Sequence, residues 1–234
     1  MKYFFFLTIS ILIVSCSSQQ DLGTRVLHQK PKIYLDEYGN KLKENEFQER
    51  WRNKENNLTR WDYGTSDSGR VAKLVGPIYS RHFATYSDLK EKLQILTGRN
   101  FPDDATFLLD YTYKDDLCSE SFPNNWNKAQ IKRRKSFTSE WKTSIEKEYD
   151  NVIVFHFFEE GIPLKNDIAS PDEYYFQDLK NFLKSNMFLT PSLCGSIALI
   201  KPGGQILVRN GEYPTEFMAQ HLRPENWKLF FPQE

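Results

Sequence analysis

The 234-residue sequence predicts an α/β fold with a mixed central sheet, and three stretches carry that expectation. Residues 151–158 are apolar at nearly every position, the pattern of a central strand covered by helices on both sides. Residues 128–149 space Phe137, Trp141, Ile145 and Tyr149 by four, which puts them on one helix face. Residues 195–200 and 205–209 flank Lys201, Pro202, Gly203 and Gly204, a turn that folds two strands into a hairpin.

The chain opens on a segment that does not belong to the fold. Lys2 supplies a basic start, residues 4–14 form an apolar run broken only by Thr8 and Ser10, and Ile13-Val14-Ser15-Cys16 has the pattern of a lipobox. The run is too short to span a bilayer as a lasting helix, so it reads as an export signal that is cut away. Residues 1–15 resemble a bacterial lipoprotein signal peptide, which implies that Cys16 becomes the lipidated first residue of the mature chain. Residues 16–30 are polar and aperiodic and read as a tether to the membrane, with an ordered arm as the alternative.

Residues 31–105 read as an N-terminal α/β extension. A short strand at Ile33, Tyr34 and Leu35 leads to a turn at residues 36–40, where Gly39 suits a positive φ. Asn45 is expected to cap a helix bearing Phe47 and Trp51. Residues 56–69, rich in Asn, Ser, Asp and Gly, are expected to be loop. An apolar strand at 71–75 ends at Gly76-Pro77. Ser87 is expected to cap a helix carrying Leu89, Leu93 and Leu96, closed by Gly98.

The second half has a more regular plan. A β-rich run at 106–113 precedes the 128–149 helix and the 151–158 strand. Ser170-Pro171-Asp172-Glu173 combines capping-box spacing with proline at the first helical position, so a helix burying Phe176, Leu179 and Leu183 is expected there. After the hairpin, a final helix starts near Pro214 and carries Phe217, Met218 and Leu222.

Composition narrows the function. Thirty-one Lys and Arg balance thirty-one Asp and Glu, so no overall field draws the molecule to nucleic acid, and no nucleic-acid partner is expected. No later segment is apolar enough to span a membrane, which leaves attachment to the acyl chains on Cys16. Only Cys118 and Cys194 then remain, in a compartment where disulfides persist.

The order strand, helix, strand, helix, hairpin, helix resembles the thioredoxin fold, and more loosely the envelope thiol-disulfide proteins related to thioredoxin. The likeness covers residues 106–222 and rests on that order, on residues 106–111, 152–155 and 197–204. It implies a three-layer sandwich with a mixed sheet over 106–234. In that family the chemistry sits where the first strand gives way to the first helix, as Cys-x-x-Cys, opposite a cis-proline before the hairpin. Here the first place holds Cys118-Ser119-Glu120-Ser121, without the resolving thiol, and the second holds Cys194-Gly195-Ser196, with Gly195 in the proline's place. Asp115, Asp116 and Glu120 close by oppose a thiolate at Cys118. The resemblance also implies that the loops carrying Cys118 and Cys194 lie side by side, as a structural disulfide or as two separately buried thiols.

Other constellations read as structural. His156, within the central strand, is expected to be packed and hydrogen-bonded and not a copper ligand beside the two cysteines. His28, His82 and His221 lack zinc-ligand spacing, so neither a metal nor a cofactor is expected. Lys128, Lys132, Arg133, Arg134 and Lys135 read as a solvated basic face, with docking of an acidic partner or of phospholipid headgroups as the alternative. Trp61, Trp126, Trp227, Phe230 and Phe231 lie in less periodic segments and are the aromatic residues best placed for contact with a ligand.

These readings lead to two functions as expectations. One is a lipid-anchored envelope protein, at the outer membrane on its periplasmic or surface side, whose degenerate thioredoxin-like domain is a non-catalytic interaction module for an envelope protein partner. The other is a monothiol oxidoreductase or isomerase with Cys118 as nucleophile, Ser121 beside it and Cys194 as a distant resolving thiol. A concave aromatic-lined pocket would mark a third class, a ligand- or glycan-binding lipoprotein.

Overall fold

The computed structural model describes residues 29–118 and 124–232. The signal peptide, Cys16, most of the tether and Ser121 lie outside the described residues. The elements run β1 (Ile33–Leu35), β2 (Lys41–Leu42), α1 (Glu44–Arg52), β3 (Thr59–Thr65), β4 (Gly69–Val75), β5 (Tyr79–Phe83) and α2 (Tyr86–Thr97). They continue as β6 (Thr106–Thr112), α3 (Lys128–Glu148), β7 (Val152–Glu159), β8 (Tyr175–Asp178), α4 (Phe182–Asn186), β9 (Ser196–Ile200), β10 (Gln205–Asn210), α5 (Thr215–Ala219) and α6 (Pro224–Trp227).

Two sheets form. The smaller has the order β2-β1-β4-β3 and the larger β5-β10-β9-β6-β7-β8. In the larger sheet β6 and β7 run parallel around α3, β9 is antiparallel to β6, and β10 is antiparallel to β9. That strand–helix–strand unit joined to a hairpin and a C-terminal helix is the thioredoxin-like arrangement, an α/β sandwich with a mixed sheet. β5 and α2, although N-terminal to residue 106, belong to it: β5 pairs antiparallel with β10 along the sheet edge.

The sheet is buried on both faces. One face packs Phe107, Leu109, Tyr111, Phe155 and Phe157 against Leu89 and Leu93 of α2 and Leu183 of α4. The other packs Leu108, Val154, Leu199 and Leu207 against Ile145 of α3, Met218 of α5 and Trp227 of α6. Alternate residues of β6 therefore point to opposite cores, as the two-residue period of a strand requires. Asn127 anchors α3 with a reciprocal box: its side chain accepts from Gln130 N, and its own N–H donates to the Gln130 side chain.

Four local expectations are corrected. Residues 59–65 are strand β3, not loop, because Arg60 and Arg70 both hold the fully buried Asp62, so side chains that read as loop polarity face inward as an ion cluster. The helix expected from Ser170 does not form. Glu173 Oε1 instead accepts the amides of Tyr174 and Tyr175, and that aromatic run goes on to pair parallel with β7 as strand β8. Leu179 is consequently half-exposed, while Phe176 and Leu183 are buried as expected. Helix α1 begins after Lys43, so Asn45 lies inside it and does not cap it. Helix α2 begins after Thr85, which leaves Ser87 within its first turn.

Candidate functional site

The register of the central strands defines the site. Tyr111 of β6 lies opposite Ser196 of β9, so the loop leaving β6 and the loop entering β9 meet at one end of the sheet. Cys118 is on the first loop and Cys194 on the second, and a disulfide joins them with Cα atoms 4.8 Å apart. Cys194 and Gly195 both have positive φ. Gly195 is required by space as well: a Cβ there would sit 2.3 Å from the Tyr111 carbonyl oxygen. The close approach of the two backbones that the bridge spans thus depends on a residue without a side chain.

Asp116 organises the junction. Its Oδ1 accepts from Cys118 N at 3.0 Å and Cys194 N at 3.1 Å, so one carboxyl oxygen holds both half-cystine backbones. Burial raises its pKa to about 7, opposed by these amide bonds and reinforced by the charge of Asp62. Asp116, expected from the sequence as a charge beside Cys118, is buried and holds backbone amides. Asp115 is exposed and exchanges hydrogen bonds with the Asn124 side chain.

A second polar group lies on the α3 side of the sheet. Thr112 Oγ1 is 2.7 Å from His156 Nε2, and Asp110 Oδ2 is 3.3 Å from His156 Nδ1, an approach outside hydrogen-bond alignment. A carboxylate beside Nδ1 favours the tautomer protonated there, so Nε2 accepts from the Thr112 hydroxyl. His156 is 2% exposed, and desolvation lowers its pKa to about 4. It is packed and hydrogen-bonded between Phe158 and Tyr175. No cluster of His, Cys, Asp and Glu able to hold a metal occurs among the described residues. Nothing in the sequence marked Asp110 or Thr112 as members of this group, although two polar residues at i and i+2 within an apolar strand share one face.

A cavity of about 870 Å³ opens at this end of the sheet, between α3 and the segment entering α5. Asp110, Thr112 and the half-cystines line it, with Trp126, Phe137, Trp141 and Tyr213 as its aromatic surfaces. Of the aromatic residues singled out from sequence, Trp126 lines this cavity. Trp227 and Phe231 instead stack on each other in the core, and Trp61 packs edge-on against Tyr113. In the basic cluster of α3, Lys135 bonds Glu173, while Arg133 and Arg134 reach the cavity.

No family model matches the chain, and no curated protein matches it. A solved structure with which it aligns is the pneumococcal exposed lipoprotein thioredoxin from Streptococcus pneumoniae strain TIGR4, at 11% identity over 70% of this chain and 98% of that one, with a TM-score of 0.33. Strand order and direction, not this likeness, identify the fold.

Proposed function

We propose that the chain is a lipid-anchored cell-envelope protein whose thioredoxin-like domain is a non-catalytic interaction module. The observation that supports it is the Cys118–Cys194 disulfide: the two cysteines beyond Cys16 are spent on each other, across the two loops where a working thiol pair and its facing residue would otherwise sit. A dithiol catalyst needs an attacking thiolate and a neighbouring thiol to release the mixed disulfide, and Cys118 is followed by no second cysteine before Cys194. Attachment rests on the lipobox at Cys16, and no helix among the described residues is long and apolar enough to cross a membrane. Its partner in this reading is another protein of the envelope, at the outer membrane.

The test is chemical. Protein extracted from envelopes in the presence of an alkylating agent should yield one cross-linked peptide containing Cys118 and Cys194, and the purified protein should not reduce insulin disulfides. Turnover that disappears in Cys118→Ser would replace this reading with the monothiol oxidoreductase. One observation favours that second reading: Cys118 is exposed and both half-cystines line the cavity, so an incoming thiolate has access to the bridge. Rapid reduction by dithiothreitol without denaturant is its signature.

A further inference from the structure

The geometry points to the cavity beneath α3 as a binding site for a short uncharged oligosaccharide, an assignment that stands independently of the interaction-module reading. Its volume of about 870 Å³ lies within the range typical of small-ligand sites, about 300–1,000 Å³. Four features of the lining select the ligand class.

The first is aromatic surface left to solvent. Phe137 lies on the α3 wall with 70% of its surface exposed, and Tyr213 is partly exposed on the facing segment. The C–H faces of pyranose rings cover such surfaces; the Tyr213 ring is already flanked by His221 and the Arg209 guanidinium, so Phe137 supplies the open face. The second is the mixture of polar groups. Gln130 can donate through its amide group, Thr112 can accept through its hydroxyl oxygen, Arg134 only donates, and Asp110 and Glu216 only accept. Sugar hydroxyls do both and match such a mixture.

The third is charge. Among the described lining residues, the carboxyl groups of Asp110, Glu212 and Glu216 outnumber the guanidinium groups of Arg133 and Arg134, which opposes phosphate, nucleic acid and acidic glycans. A floor of Asp110 and Thr112 is equally unsuited to an acyl chain, whose burial there would desolvate polar groups without replacing their partners. The fourth is the backbone. β6 and β9 are interior strands, each hydrogen-bonded on both sides, so the cleft offers no sheet edge to which a peptide could add as a strand. Side chains must do the recognising. One of them, Trp126, lines the cavity at 6% exposure, with its Nε1–H buried and without an acceptor among the described residues.

Titration of the full chain with triacetylchitotriose and with maltotriose, followed by intrinsic tryptophan fluorescence and calorimetry, tests the assignment. At least one triose should bind saturably with a Kd of about 1 mM or tighter, the equivalent of about 4 kcal/mol. Phe137→Ala should weaken that binding about tenfold with the unfolding midpoint unchanged, since the ring is mostly solvent-facing. Ile95→Ala, an exposed apolar residue of α2 outside the cavity, should leave it unaltered. Failure of both trioses to saturate, or equal affinity in Phe137→Ala, overturns the assignment. Displacement of bound triose by a neutral tripeptide at lower concentration would also overturn it and identify a peptide cleft.

Discussion

Asp116 and His156 are buried titratable residues whose effects on stability run in opposite directions. The Asp116 carboxyl has a pKa of about 7 against an ordinary value of 3.8, so between those values the folded chain holds a proton that the unfolded chain has lost. Stability from this residue therefore falls as pH rises from about 4 to 7. The imidazole of His156 is held near 4 against 6.5, so the unfolded chain takes up the proton first, and its contribution is present above 6.5 and lost as pH falls toward 4. The two slopes oppose each other over most of the same window. Urea unfolding from pH 4 to 8 should show Asp116→Asn gaining stability with rising pH relative to wild type and His156→Gln losing it; parallel profiles in both variants would contradict the assignments. Gly195→Ala tests the backbone contact at the bridge. With φ at +81° and a Cβ meeting the Tyr111 carbonyl, it should cost about 2–4 kcal/mol in the same assay. At this scale the sequence displayed the residue types but not their environments: Asp115 and Asp116 are neighbours of identical chemistry, and only the meeting of two loops makes one of them buried.

Elements whose apolar spacing agrees with their tertiary role were legible. The 128–149 pattern became α3, the doubly apolar run became central strand β7, and the paired glycines at 203 and 204 turn β9 into β10. Where local chemistry and sheet pairing compete, pairing wins. Ser170 to Glu173 has the spacing of a helix start, yet Tyr174, Tyr175 and Phe176 gain more from the edge of β7 than from a helix, because aromatic residues favour a half-buried pleated surface. Asp178 then carries the transition that Ser170 was expected to make. Fully buried, it accepts from Leu183 N, Lys184 N and the Tyr111 hydroxyl, which caps α4 and ties β8 to the middle of the sheet. Asp178→Ala leaves those donors unpaired and should cost about 2–4 kcal/mol in urea unfolding, whereas Leu179→Ala, one residue on and half-exposed, should cost less than about 1 kcal/mol. Equal losses in the two variants would show that Asp178 does not organise this turn.

The whole molecule joins two sheets around one chain crossing. Leu193 N donates to Arg60 O, and Asn210 reaches Pro77 O, so the smaller sheet is fastened beside the loop that carries Cys194. This junction was invisible in the sequence because β3, its near strand, was hidden by the internal ion cluster. The thioredoxin-like order was legible because it depends only on the succession of elements. The disulfide closes a loop with a sequence separation of 76, so replacing both cysteines by serine should lower stability by about 4 kcal/mol if loop entropy dominates. A loss below about 1 kcal/mol would assign the stability of this region to packing alone.

Because Asp116 grips both half-cystine amides, reduction of the bridge does not by itself release the two loops. Severing the covalent link leaves two hydrogen bonds that still pin the severed ends to a common oxygen, so the freed thiols stay at high effective molarity and do not drift apart. A mild oxidant should therefore reseal the reduced protein in a concentration-independent step, and Asp116→Ala should slow that resealing even where the oxidised fold survives intact.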